Sequence, residues 1–149
     1  MSRTLVTFDG ECALCNGTVA WLVRRDRRRA FLLAGSAGDI GREAVRRAGL
    51  PSEVTRSTIV VARAGHVWLR SDAVLAIADT LGWPWRAAAV LRVVPRALRD
   101  RVYGWVANRR PPMEAGDPSC GVPPPRLAAE WRARLATRAD LDEVLSPRT

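Results

Sequence analysis

The sequence predicts an α/β domain built on a mixed β-sheet with helices on its faces. Three observations carry that prediction. Short β-branched and aromatic runs alternate with helically spaced apolar residues, in the order strand, helix, strand, helix, strand, strand, helices. A helix separates the first two strands, so they should be parallel through a right-handed crossover. The last two strands flank Ala64-Gly65, a hairpin signal, and should pair antiparallel. Length agrees with one such unit, since 149 residues lie near the commonest domain size. With 48% of residues hydrophobic, a core needs no disulfide or metal support.

Taken in order, Thr4-Leu5-Val6-Thr7-Phe8 reads as a strand that stops at Asp9-Gly10, a turn signal. Val19, Leu22 and Val23 then recur at helical spacing, and the run Arg24-Arg25-Asp26-Arg27-Arg28-Arg29 closes that helix. Ala30 to Ala34 forms a short apolar run ending at Gly35-Ser36, a buried strand. A helix from Asp39 to Ala48 is expected next, with Gly49 at its C′ position and Pro51 preventing resumption. The hairpin arms are Ser57 to Arg63 and His66 to Arg70. After them Ser71 or Asp72 can cap a helix with Val74, Leu75, Ala78 and Leu81 on its apolar face, ended by Gly82.

From Trp85 to Asn108 the pattern is helical, broken at Pro95, which suits the first turn of a second helix. That second helix is expected to bury Leu98, Val102, Trp105 and Val106. Residues 111–125 are rich in proline and glycine and read as a linker between a domain over 1–110 and a C-terminal region, 126–149. The latter should hold one helix, Arg126 to Thr137, docking through Leu127, Trp131 and Leu135. The whole is a thioredoxin-like mixed sheet with flanking helices, plus extra C-terminal helices.

All 24 basic residues are arginine, against 15 acidic ones, a net charge of +9. Such a surplus points toward nucleic acid, an anionic membrane or acidic partners. The arginines are spread along the chain rather than clustered with exposed aromatics, which disfavours nucleic acid. The densest run, Arg24 to Arg29, reads as a solvated helix end favoured by the helix dipole, with an anion site as the other reading. The longest stretch without charge, Cys12 to Val23, falls well short of the ~20 residues a spanning helix needs. The first residues run straight into a strand pattern without an apolar signal segment, and three cysteines are too few for a secreted disulfide scaffold. A cytoplasmic location is the expectation.

Sharp chemistry resides in Phe8-Asp9-Gly10-Glu11-Cys12-Ala13-Leu14-Cys15-Asn16. Two cysteines separated by two residues can be a redox pair, half a metal site or a haem attachment. Haem attachment requires a histidine after the second cysteine, where Asn16 stands. A structural zinc site needs further ligands, and only Cys120 and His66 remain, neither in a paired motif. No metal and no other cofactor is therefore expected. The redox reading has both spacing and context, because the pair lies between a strand and a helix.

At the first helical turn, unpaired N–H groups and the positive dipole end stabilise a thiolate. A free thiol of pKa ~8.5 is only about 3% ionised at pH 7, whereas pKa ~7 makes it half thiolate. One turn of helix also brings the second sulfur within reach of the first, so a mixed disulfide can be resolved internally. Cys12 is expected to attack and Cys15 to resolve. Asp9, three residues before Cys12, is a proton relay or, equally, a turn cap. Arg24 and Arg25, two to three turns further on, are too distant to act on the thiolate, Glu11 should face solvent, and His66 should lie at the surface. Cys120 reads as a free thiol, with pairing to Cys12 during turnover as its alternative role.

The segment Asp9-x-x-Cys12-x-x-Cys15, with Phe8 and Gly10 beside Asp9, resembles the DCC family of thiol–disulfide oxidoreductases. The resemblance extends to Arg24-Arg25-Asp26-Arg27, to Arg70-Ser71-Asp72-Ala73-Val74, and to Val94-Pro95-Arg96-Ala97-Leu98-Arg99-Asp100 with Tyr103. It implies a thioredoxin-like fold with the two cysteines as redox centre, and a protein or small-molecule thiol or disulfide as substrate. Unlike ordinary thioredoxins, the chain has no Trp before the first cysteine and no Pro before the strand at Thr58. Ser57 or Thr58 would occupy the place of the cis-proline that faces the disulfide there. A second class of function remains: an arginine-rich binding module for an anionic membrane surface or nucleic acid, with the redox pair secondary or inactive. Trp83, Trp85 and Trp105 could then sit at a membrane interface, although core packing is their expected place.

Overall fold

Strand β1 (Thr4–Phe8) is buried along its whole length, because it lies inside a four-stranded sheet ordered β2-β1-β3-β4. The computed structural model of the chain describes residues 2–9, 13–109 and 125–147, with 13–16 by their backbone alone. β1 leads to helix α1 (Ala13–Arg25), which returns the chain to β2 (Phe31–Gly35). β2 is parallel to β1, with Val6 opposite Leu33. Helix α2 (Asp39–Arg47) and a single turn, α3 (Val54–Ser57), precede β3 (Val60–Arg63) and β4 (His66–Leu69). β3 runs antiparallel to both β1 and β4. The parallel first pair and the antiparallel last pair are those expected from the sequence, and the architecture is a thioredoxin-like mixed sheet with extra helices.

Period-two alternation divides the core between the two faces of the sheet. Val6, Phe8, Phe31, Leu33 and Val61 pack with Val19, Leu22 and Val23 of α1, and with Ala73 and Ala76 of α4 (Arg70–Leu81). Leu5, Leu32, Ala34 and Ala62 face the other way, onto Ala44 of α2 and onto Leu141 and Val144 of the C-terminal helix α7 (Arg138–Leu145). Left-handed glycines supply the turns where side chains would be strained: Gly49 after α2, Gly65 in the hairpin and Gly82 after α4, with φ of 70°, 79° and 80°.

Several expectations need correction. The arm of β3 begins at Val60, because residues 54–57 form a helical turn instead. α4 starts at Arg70 with Leu69 at its N-cap, so neither Ser71 nor Asp72 caps it, and Val74 is exposed rather than on the buried face. Residues Trp85–Val93 form a 3-10 helix, and α5 (Arg96–Asn108) follows with Pro95 at its N-cap, just outside the helix. Leu98, Val102, Trp105 and Val106 are exposed, not buried, and so are Trp83 and Trp85. The reason is that α5 docks through its polar side, as described below.

The expected C-terminal helix is a 3-10 turn (Pro125–Leu127), a short helix α6 (Ala128–Arg132), an extended step and then α7. In that step the Leu33 amide donates to the Arg134 carbonyl at 2.7 Å, and the Ala136 amide donates to the Leu33 carbonyl at 2.9 Å. The segment thus pairs with the open edge of β2. Trp131 is buried, edge-on to Phe8 with ring centres 5.9 Å apart, whereas Leu135 is half exposed. Residues 110–124, which include Cys120 and most of the expected linker, lie outside the described residues.

Candidate active site

β1 ends at Phe8, whose carbonyl accepts the Ser36 amide at 2.9 Å. Asp9 follows, half-buried. Gly10, Glu11 and Cys12 lie outside the described residues, and α1 begins at Ala13. Cys12 is therefore the residue directly before the helix in sequence, and Cys15 is the third residue of its first turn. That turn contains no acidic residue to oppose an anion at the dipole's positive end. Of the expected junction of strand, cysteine pair and helix, the structure describes the end of β1, Asp9 and α1 with Cys15 in its backbone, while Cys12 lies outside the described residues.

The neighbouring strand defines the surroundings. Thr7 is opposite Val60, so the residues before β3 run alongside the end of β1. Thr58 is buried there, and its hydroxyl accepts the Arg70 amide at 2.7 Å and donates to the Ile59 carbonyl at 3.0 Å. Arg70, at φ 52°, occupies the left-handed region where β4 turns directly into α4. Thr58 thus ties the start of β3 to the start of α4, whereas Ser57 is exposed at the end of α3.

The two outlying motifs meet at this same end of the sheet. The Ser71 hydroxyl donates to Asp100 Oδ1 at 2.5 Å. Arg99 Nη1 pairs with Asp72 Oδ1 at 2.9 Å, and Arg96 Nε with Asp72 Oδ2 at 3.1 Å. The Ile59 amide donates to the Tyr103 hydroxyl at 3.3 Å. The Ser71 hydrogen bond, then the guanidinium groups of Arg96 and Arg70, hold the Asp100 carboxyl below its ordinary range against the effect of burial. This polar clasp fastens α5 to α4 and β3. Sequence reasoning assigned these residues no contact with one another. The available signal was charge: a Ser-Asp pair opening one helix and an Arg-x-x-Arg-Asp run opening the next.

Beside the clasp runs an open apolar groove of about 810 Å³, between α1, α4, the 3-10 helix and α5. Thr18 and Trp21 of α1 line one side, with Leu98, Val102 and Val106 of α5 opposite. Thr18 is one helical turn beyond Cys15 in sequence. Sequence reasoning did not foresee this groove, because it placed the α5 apolar residues in the core.

The remaining candidates lie elsewhere. Arg24 and Arg25 are exposed at the far end of α1, where the Arg25 guanidinium sits 4.3 Å from the Trp21 ring centre and 5.5 Å from that of Trp85. His66 is exposed and stacks on Trp68, its ring centre 5.9 Å away. Asp26 is the exception within the arginine run, for it is buried. Its carboxylate accepts the Ala30 and Phe31 amides at 2.9 and 3.2 Å and pairs with Arg134 Nε at 3.1 Å. Among the described residues no group of three or more His, Cys, Asp or Glu is arranged to hold a metal.

Comparison with known proteins places this architecture. A profile of the DCC1-like thiol-disulfide oxidoreductases matches residues 6–114, which takes in the cysteine pair, the clasp and all of the sheet but the first two residues of β1. The chain is 28% identical over 123 residues to the uncharacterized protein YuxK of Bacillus subtilis, covering 83% of this chain and 89% of that one. It is 32% identical over 120 residues to a chloroplastic DCC family protein of Arabidopsis thaliana, covering 79% and 69%. No solved structure matches it. With a profile match over well more than half its length, at residues that include the two cysteines and helix α1, the chain belongs to the DCC1-like thiol-disulfide oxidoreductase family.

Proposed function

We propose that this chain exchanges thiols and disulfides through Cys12 and Cys15, with a protein or small-molecule thiol or disulfide as substrate. The observation that carries the reading is the family match over residues 6–114, which contain both cysteines, with Cys15 in α1, the helix that follows the central strand β1. In the reducing direction the Cys12 thiolate attacks one sulfur of a substrate disulfide. The substrate S–S bond breaks, a mixed disulfide forms, and the first substrate thiolate leaves and takes up a proton. Cys15, having lost its proton, attacks the Cys12 sulfur and releases the second substrate thiol. The substrate gains two electrons and two protons, and the enzyme holds a Cys12–Cys15 disulfide. The oxidising direction runs through the same bonds in reverse.

Iodoacetamide labelling at graded pH tests the roles. The expected outcome is a Cys12 thiol with a pKa well below the free value of ~8.5, and equal, high values for both thiols would overturn it. In a Cys15→Ser variant the mixed disulfide cannot be resolved, so a substrate adduct on Cys12 should accumulate and be seen by mass spectrometry. Asp9, at the end of β1, is proposed to relay the proton that Cys15 must lose. An Asp9→Asn variant should then slow resolution more than attack, and an unchanged rate and reduction potential would leave Asp9 as a turn residue.

A further inference from the structure

α5 is mounted the wrong way round for a core helix. Its clasp residues Arg99, Asp100 and Tyr103 face α4 and β3. Its apolar residues Leu98, Val102 and Val106 therefore open onto the groove and remain about half exposed. Val74, Trp85 and Leu91 line the same groove and are exposed as well. Close to them in sequence, Trp105 is 56% exposed, Trp83 82% and Val93 85%. A contiguous apolar surface of this kind marks an interaction site.

Charge selects the occupant. From Trp83 to Arg109 the sequence holds six arginines (86, 92, 96, 99, 101 and 109) and a single acid, Asp100. Asp79 and Asp72 pair with Arg86, Arg96 and Arg99, which leaves a local surplus of +3. Arg109 lies over the Trp105 ring, 3.8 Å from its centre, and Arg25 lies over Trp21 and Trp85 at the groove. A second copy of the chain would bring like charge against like. Nucleic acid gains little from an aliphatic lining. Ser71, Arg99 and Tyr103, polar groups of the lining, are engaged within the fold, so an extended peptide would leave backbone groups unmet. Hydrocarbon has no such need.

We propose that this face docks on an anionic lipid bilayer. Trp83 and Trp105 sit at the headgroup level, Arg92, Arg101 and Arg109 meet lipid phosphates, and acyl chains fill the groove beside α5. No helix among the described residues is long and apolar enough to cross a membrane, and the proposed contact is with the bilayer surface. The proposal does not rest on the redox reading.

The test is co-sedimentation of the full chain with vesicles of phosphatidylglycerol and phosphatidylcholine, compared with phosphatidylcholine alone, while tryptophan emission is followed. Binding to the anionic vesicles only, weakened by salt and accompanied by a blue shift, is expected. A variant with Arg92, Arg101 and Arg109 changed to Gln should bind on the order of a hundredfold less tightly, at about fivefold per arginine. A Val102→Gln, Trp105→Gln variant alters only exposed side chains and should lose the blue shift while its urea unfolding curve is kept. Failure to bind anionic vesicles at low salt would overturn the proposal, as would binding without a spectral shift or binding indifferent to both variants. So would selective capture of an acidic amphipathic peptide in place of vesicles, which would make the partner a protein.

Discussion

Removal of Arg134 should unfold this protein more readily than removal of any exposed arginine. Arg134 and Asp26 form a buried ion pair, with side chains 4% and 2% exposed. Arg134 Nε reaches Asp26 Oδ2 at 3.1 Å, and Nη2 donates to the Asp26 carbonyl at 2.8 Å. The remaining nitrogen, Nη1, contacts Glu130 Oε2 at 2.6 Å and the Glu130 carbonyl at 2.9 Å. In Arg134→Met the Asp26 carboxylate keeps its two backbone donors and loses its counter-charge inside the fold. Breaking a buried pair from one side costs about 3–5 kcal/mol. A domain of this size has ~5–15 kcal/mol in total, and each kcal/mol shifts Tm by roughly 2–4 °C. The expected loss is therefore on the order of 6–20 °C.

Glu130→Gln removes a half-exposed partner, so its cost should stay within ~1 kcal/mol. Urea unfolding of Arg134→Met, Asp26→Asn and the double variant, followed by circular dichroism, gives the coupling between the two side chains. That coupling should reach about 2–3 kcal/mol, because the second change removes the charge that the first one stranded. An Arg134→Met protein within ~1 kcal/mol of the parent, or a cycle additive within ~0.5 kcal/mol, would refute the reasoning. The C-terminal segment would then be held by Trp131, the β2 edge and the α7 residues Leu141 and Val144 without help from the ion pair.

Other substitutions probe other parts of the fold. Gly41→Ala should destabilise by about 1–3 kcal/mol or more, since a Cβ there would stand 2.0 Å from the Gly35 carbonyl oxygen. Gly104→Ala, with nothing within 4 Å of the new Cβ in α5, should instead stabilise by ~0.5–1 kcal/mol, and thermal melts will show the opposite signs. Acid stability should report Asp140 and Asp100. Burial raises the Asp140 carboxyl, but the Thr137 amide and hydroxyl and the Arg3 guanidinium outweigh it, and the group ends below its ordinary value. Asp100 is also lowered, through Ser71 first. Carboxyls lowered in the folded state contribute fully above the unfolded pKa of ~3.9, and their contribution is lost as pH falls through the folded value. Urea midpoints should thus drop below about pH 4, and Asp140→Asn with Asp100→Asn should flatten that limb.

The sheet was legible because its signals are local. β-branched runs made β1 and the hairpin, and the left-handed glycines at 49, 65 and 82 stood where turn chemistry requires them. Spacing alone singled out Cys12 and Cys15. What escaped was information carried by tertiary partners. Asp26 looked like one more charge in an arginine run, and only Arg134, 108 residues away, makes it a buried anchor. The C-terminal helix was drawn through Thr137, although Thr137-x-x-Asp140 is itself a start signal. The Thr137 hydroxyl accepts the Asp140 amide at 3.3 Å, and Asp140 Oδ2 accepts the Thr137 amide at 2.8 Å. An apolar period running up to Leu135 hid that cap.

α5 shows why a correct period can give a wrong burial. Leu98, Val102 and Trp105 follow the i, i+4, i+7 spacing of a core stripe, and that spacing states only that one face is apolar. It does not state which face meets the protein. The competing side, with Arg96, Arg99 and Asp100, meets Ser71 and Asp72 in a set of charge-assisted contacts. Such contacts are roughly twice as strong as neutral hydrogen bonds and have defined geometry. A helix mounted by its polar side gives up apolar burial at that position, and for side chains about half exposed the loss is roughly half of the ~1.5–3 kcal/mol that full burial of each would contribute. The clasp offsets part of that loss, and the stripe left in water is the surface proposed to meet an anionic bilayer.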